Sequence, residues 1–217
     1  MHEELIAAVQ ASDAARVREL LTADPGAGDA RDANGVSALM LSRYHGAPPE
    51  VTAALRESRT ELDLFEAATL GDVARLESLI DGGEQVDARS PDDATALHFA
   101  AFFAQPATAK VLVDRGADLA AVSRTFGRVT PLHNAAAGGS AEVVHLLLEG
   151  GADPNARQDG GFVALHAAAQ NGDVAMARDL LEHGADAALA TDDGRTALSI
   201  AEEQGHDEVA ALLRERG

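Results

Sequence analysis

Three histidines recur in one setting along the 217-residue chain. They lie in Thr95-Ala96-Leu97-His98-Phe99-Ala100, in Thr130-Pro131-Leu132-His133-Asn134-Ala135 and in Val163-Ala164-Leu165-His166-Ala167-Ala168, while Thr196-Ala197-Leu198-Ser199-Ile200-Ala201 repeats the phrase with serine. Imidazoles at a fixed interval could ligate a metal. Zinc takes its nitrogens at about 2.0–2.1 Å. The interval is 33 to 35 residues, so each histidine occupies the same place in successive copies, separated by a helix-packing distance of about 8–10 Å. One ion cannot take two of them. His145, His183 and His206 fall on helical faces or ends, where solvation is the expectation. Cysteine is absent, which removes thiolate chemistry and disulfides. No nucleophile elbow, phosphate-cradling loop or His-Glu-x-x-His run is present, and nothing singles out a carboxylate pair among 36 acids. The expectation is no catalytic residue, no cofactor, no metal and no enzyme.

The elements that carry the phrase form a repeat. A period near 33 residues marks a stacked array with a long surface rather than a closed core. The phrase leucines anchor it: Leu5, Leu39, Leu64, Leu97, Leu132, Leu165 and Leu198. Around Leu132 the local signals are complete. Thr130 caps a helix and Pro131 takes its first position, where a missing N–H costs nothing. A short helix is predicted over Leu132–Ala137, broken by Gly138-Gly139. A second follows over Ala141–Glu149, with Val143, Val144, Leu147 and Leu148 at helical spacing. Gly150-Gly151 ends it, and a polar turn around Gln158-Asp159-Gly160-Gly161 leads to the next copy.

Thr-Pro-Leu-His-x-Ala at 130–135 and Gly-Ala-Asp-x-Asn-Ala at 151–156 resemble the ankyrin repeat family over nearly the whole chain. The resemblance implies an all-α solenoid of about seven helix-turn-helix repeats with projecting β-hairpin loops. It implies a structural histidine, bonded to its turn and to the capping hydroxyl, and non-catalytic binding of a protein. The repeats read as 1–33, 34–59, 60–92, 93–127, 128–160, 161–193 and 194–217. Leu39 and Leu64 are only 25 residues apart, which leaves no room for a hairpin, and residues 64–79 resemble 5–20. The expected organisation is a two-repeat block, 1–59, with an N-terminal capping repeat, and a five-repeat block, 60–217, with a C-terminal one. A deletion in a continuous stack is the alternative. Val163 replaces the capping threonine, and Arg214 stands where other repeats have Leu148 or Leu181.

Composition narrows the partner. Hydrophobic residues are 46% of the chain and aromatics 3%, so the core is built of Ala, Leu and Val. A formal charge of −19 argues against nucleic acid and anionic lipid. No run nears the ~18 apolar residues of a membrane span. A cytoplasmic monomer is expected, and one lysine among seventeen basic residues suggests a GC-rich bacterial source. Placed on the ankyrin frame, Tyr44, His45, Leu70, Phe102 and Phe103 end first helices and Phe126 and Phe162 lie in hairpins, all lining the concave groove. Asp159, Asp192, Asp193 and Arg195 rim it. Phe103 is expected to be the more exposed of the adjacent pair. The expected function is a protein-interaction scaffold binding through that groove. The alternative is an acidic inhibitory or regulatory subunit that occludes a basic site on an enzyme or nucleic-acid-binding protein, its partner then having a basic segment.

Overall fold

A computed structural model describes residues 1–59 and 61–216. Among them are seven pairs of short antiparallel helices and no β-strand: α1 (His2–Gln10) with α2 (Ala14–Ala23), α3 (Ala38–Tyr44) with α4 (Pro49–Glu57), α5 (Leu64–Leu70) with α6 (Val73–Asp81), α7 (Ala96–Phe102) with α8 (Pro106–Asp114), α9 (Pro131–Ala137) with α10 (Ala141–Glu149), α11 (Ala164–Asn171) with α12 (Val174–Glu182), and α13 (Ala197–Gln204) with α14 (Asp207–Arg216). No helix among the described residues is long and apolar enough to cross a membrane. The expected hairpins are tight turns, three of them closed by a single β-bridge: Arg31 with Ser37, Ser123 with Val129 and Ala190 with Thr196.

The helix pairs share a left-handed turn residue, and four of them share a capping side chain after it. Seven residues after the anchor leucine the chain enters the left-handed region, at Ser12, Gly46, Gly71, Ala104, Gly139, Gly172 and Gly205. Glycine suits this position because other residues pay a steric penalty there. One residue later, Asp13, Asp72, Ser140 and Asp173 each accept a backbone N–H of the second helix. Those caps reverse the chain within two residues.

The chain divides into two compact units, Met1–Glu66 and Ala67–Gly217, with the division inside α5. In the first, α1 packs on α2 and α3, and α4 on α2 and α3. In the second, α7, α9, α11 and α13 form one row and α6, α8, α10, α12 and α14 another. Leu97, Leu132 and Leu165 are buried in the first row, and Leu64 is buried at the start of α5. Leu198 is only half-buried, unlike the other six anchor leucines. Among the described residues, α13 has a first-helix neighbour on one side only, α11. Arg214 is exposed and pairs with Glu202 at 2.6 Å.

At His98 and His133 the recurring histidine joins one repeat to the next. The Thr95 N–H donates to His98 Nδ1 at 3.2 Å, with the Thr95 hydroxyl 2.8 Å from the same nitrogen. That fixes the proton on Nε2, which donates to the Val129 carbonyl at 3.2 Å. His133 repeats the arrangement with Thr130 and the Phe162 carbonyl. His166 takes only the Val163 N–H, at 3.0 Å, and donates to the Leu189 carbonyl. Ser199 caps its own turn, bonded to Thr196, and has no second ring nitrogen to reach onward. Hairpin arginines add to the seam: Arg89 donates to the Val122 carbonyl and Arg157 to that of Ala190. These arginines connect one repeat to the next. His206, expected in solvent, lies 3.1 Å from the Gln170 carbonyl.

In the first unit, charged groups make the equivalent links. Asp63 accepts the N–H groups of Phe65 and Glu66, and Glu66 accepts that of Asp63, a reciprocal capping box. The second Glu66 oxygen meets Arg59 at 2.6 Å, with both side chains nearly inaccessible. Arg31 holds the outer oxygen of Asp63 at 3.0 Å. Burial raises the Glu66 pKa, with the Asp63 charge adding to the rise, while bonds from Ser37 and the Asp63 backbone and the Arg59 charge oppose it. No β-bridge lies between α4 and α5 among the described residues.

Two outcomes are expected. Leu132→Ala, in the buried row, costs about 2–5 kcal/mol through the cavity it leaves, read by chemical denaturation. A loss below about 1 kcal/mol would place Leu132 outside the core. The second concerns acid. Burial lowers the His98 pKa from 6.5 to about 4, because the charged ring would lose its hydration in a dry site. The unfolded imidazole titrates near its ordinary ~6.5. Native stability from the neutral ring is therefore complete above that value and is lost as pH falls toward 4. The stability gap between wild type and His98→Gln should narrow by about 3 kcal/mol across that window. A gap independent of pH would mean that His98 titrates normally.

Candidate partner-binding groove

The ends of the first helices and the following hairpins line one side of the second unit, and its aromatic side chains concentrate there. Phe102 ends α7 and Phe103 follows it, their rings edge-to-face at 5.1 Å. Phe102 is 44% exposed and Phe103 half-buried, which reverses the expected order. The difference falls where α7 stops: Phe102 is its last residue and Phe103 its C-cap. Phe126 is 50% exposed in the hairpin between Ser123 and Val129. Phe162 leads into α11, half-buried, with its ring edge-to-face to His166 at 5.6 Å and the Arg195 guanidinium 5.8 Å from its centroid.

The turn after Phe103 departs from every other turn of the second unit. Ala104 holds the left-handed position, φ +53°, that Gly71, Gly139, Gly172 and Gly205 hold elsewhere. Gln105 then makes no cap bond; its amide returns to the Phe103 carbonyl at 3.1 Å. The repeat that carries the exposed aromatic pair thus gives up both the glycine and the cap. Local strain of this kind concentrates at functional positions.

One repeat further on, Ala137 and Gly138 stand where the preceding repeat has Phe102 and Phe103, five and six residues after the anchor leucine. Gly138 lies against the Phe102 carbonyl so closely that a Cβ would come within 2.2 Å of it. Ala137 borders a cavity of about 250 Å³ lined by residues of α9, α11 and the intervening hairpin, Phe162 among them. Sequence reading missed this cavity. Its signal is the loss of bulk at Ala137, visible only once the repeats are superposed.

The charged rim is largely self-paired. Asp159 lies 3.9 Å from Arg128, Asp192 3.7 Å from Arg157, and Arg195 2.9 Å from Asp193 and 4.0 Å from Glu203. The Thr191 hydroxyl also bonds Asp193 and, with Arg195, holds its carboxyl below the usual carboxylate range. The hairpins bond to each other through backbone, Asp159 N–H to the Gly127 carbonyl and Asp192 N–H to that of Gly160. Leu70 ends α5, half-buried. Tyr44 and His45 end α3 in the first unit, Tyr44 half-buried and His45 exposed.

Among the described residues no group of His, Asp and Glu is arranged to hold a metal ion. On the outer helices His145, Asp179, His183 and Glu149 do meet. Asp179 lies 3.1 Å from His145 and 3.2 Å from His183, and Glu149 reaches the other ring nitrogen of His183 at 3.2 Å. Bonds to the Asp179 carbonyl and to Glu149 raise the His183 pKa. Solvation was expected for both imidazoles, but they bridge α10 and α12.

The strained turn yields a direct test. Ala104→Gly removes a left-handed alanine and should stabilise the chain by about 1 kcal/mol, seen as a raised melting temperature. An unchanged or lowered value would show that the alanine methyl group packs productively.

A family model described as ankyrin repeats (3 copies) matches residues 64–158 and 132–217. Palmitoyltransferase Hip14 of Drosophila melanogaster is 32% identical over 133 residues, 61% of this chain and 20% of that protein. The probable E3 ubiquitin-protein ligase XBOS31 of rice is 40% identical over 95 residues, 43% of this chain and 21% of that one. Ankyrin repeat and SOCS box protein 11 of Danio rerio is 39% identical over 98 residues, 45% and 32%. The chain therefore spans about a fifth to a third of these relatives, whose remaining parts it does not match. The matched residues are those that carry the clasping histidines, the capped turns and the bridged hairpins, and the chain belongs to the ankyrin repeat family.

Proposed function

We propose that this chain is a non-catalytic scaffold that binds a protein partner through the groove between the hairpins and the first-helix ends of residues 67–216. The observation that carries the reading is the Phe102–Phe103 pair on a strained turn. A large apolar side chain is exposed beside a half-buried one, at a site where the repeat has abandoned its own stabilising residues. Exposed aromatic anchors of this kind supply much of the energy at interfaces, and a rigid scaffold loses little ordering entropy on association. The proposed function belongs to a cytoplasmic monomer without cofactor or nucleic-acid ligand, organised as the blocks 1–59 and 60–217. A bacterial source fits the same composition.

The second reading, an acidic subunit that occludes a basic site, draws on the charge of −19. The pairing of Asp159, Asp192 and Asp193 with arginines supports the first reading instead, because a neutralised rim exerts little long-range pull.

The test is to capture the partner with the intact chain and measure its affinity for variants. Phe102→Ala should weaken binding by about 2 kcal/mol or more while costing less stability than Leu132→Ala. Its affinity should be nearly independent of salt. Binding unchanged by Phe102→Ala would remove the groove, and a steep salt dependence would favour the acidic reading.

A further inference from the structure

His183 is held in the opposite way to His98. It is the half-buried C-cap of α12, and both of its ring nitrogens face acceptors. Nδ1 lies 2.9 Å from the Asp179 carbonyl and 3.2 Å from the Asp179 carboxylate. Nε2 lies 3.2 Å from Glu149 Oε1 on α10. A neutral imidazole has one N–H, so it satisfies one side and turns a lone pair to the other. The protonated ring makes both bonds, and its charge sits at a helix C-terminus, where a cation is favoured. At His98 one nitrogen accepts an N–H and the other donates to a carbonyl, which suits a neutral ring.

An equivalent link exists in a permanent form. Glu149 stands 17 residues after Leu132, and His183 stands 18 after Leu165. Asp81 and Arg115 hold the same places after Leu64 and Leu97, and they pair at 2.6 Å between α6 and the C-cap of α8. Between α8 and α10, Gly150 takes the cation's place, and Asp114 pairs with Lys110 of its own helix. Arginine keeps its charge at any ordinary pH, whereas histidine loses it near neutrality.

We infer that the Glu149–His183 link is a pH-operated clasp between α10 and α12, closed when the imidazole is protonated and released when it is neutral. On losing a proton the ring keeps its bond within α12 and turns a lone pair to the Glu149 carboxylate. α10 packs on α8, α9 and α12, and α12 on α10, α11 and α14. On α8, Lys110 pairs with Asp114, and Arg115 at its end with Asp81. His133 of α9 and His166 of α11 are bonded to backbone carbonyls elsewhere. On α14, Arg214 pairs with Glu202, beside Asp207, Glu208, Glu215 and Arg216. Glu142, Arg178 and Glu182 complete the charges of the two clasped helices. Those that act on His183 are Asp179 and Glu149. His145 meets Asp179 through one nitrogen at 3.1 Å, a bond that a neutral ring keeps. The His183 pKa is raised, first by the Asp179 carbonyl and then by Glu149. The clasp therefore contributes fully below the unfolded value of ~6.5 and is lost as pH rises through the higher folded value. Acid weakens the seam at His98, and alkali weakens this one.

The test reads amide exchange in α12 of the full chain, as the ratio of variant to wild type at one pH, which cancels the intrinsic pH dependence of exchange. His183→Ala should exchange several-fold faster than wild type at about pH 5.5 and at a similar rate at about pH 8.5. His183→Arg should stay slow at both. An NMR titration of wild type should place the His183 midpoint above ~6.5, and Glu149→Gln should lower it. If His183→Ala does not fold, the titration decides alone. A ratio for His183→Ala that is the same at both pH values overturns the clasp. So does His183→Arg exchanging as fast as His183→Ala, or a midpoint that Glu149→Gln leaves unmoved.

Discussion

The array depends on one imidazole used at both ends. Nδ1 accepts from the cap of its own helix, and that commitment forces the proton onto Nε2, where it donates to a carbonyl of the next repeat. A single neutral ring therefore closes a turn and joins two repeats. Neither bond would be strong in water, but the ring is buried, and a buried polar group left unpaired costs more than the bond returns. Each repeat is thereby obliged to present its carbonyl at one place. That requirement fixes the stacking offset more sharply than contact between alanines and leucines, which tolerate sliding. The arginines at the hairpins and Asn134 and Asn171 on the first helices repeat the pattern with their own cross-repeat bonds.

The first unit reaches a comparable end with ions. Where 25 residues separate two anchors, no hairpin carbonyl is on offer. Glu66 closes its turn by bonding the Asp63 N–H, and Arg59 compensates the buried carboxylate. Such a pair is costly to desolvate and is retained only where its bonds are complete. Here they are: one carboxylate oxygen takes the backbone, the other the guanidinium.

Much of this was legible in the sequence. The recurring Thr-x-Leu-His phrase specified the first helices, the terminal glycines specified the turns, and the helix over Ala141–Glu149 was read to the residue. What stayed hidden depends on neighbours. The order of exposure of Phe102 and Phe103 turns on where α7 stops, a matter of one residue. The half-exposure of Leu198 follows from what packs beside α13. Arg31, Arg89 and Arg157 look like ordinary surface charges until their carbonyl partners are placed. The cavity beside Phe162 is bordered by Ala137, a residue unremarkable in itself and informative only against the phenylalanine one repeat earlier.

The serine at the last phrase bears on how such a chain can lengthen. Copying residues 128–160 in place would add a unit whose imidazole finds a carbonyl ahead of it, that of the copied Val129, and offers one behind. Copying the unit around Ser199 would insert a joint without that bond, since a hydroxyl reaches only its own turn. Tandem duplication is therefore favoured in the interior of the array and penalised at Ser199, so arrays of this kind should grow from the middle outward.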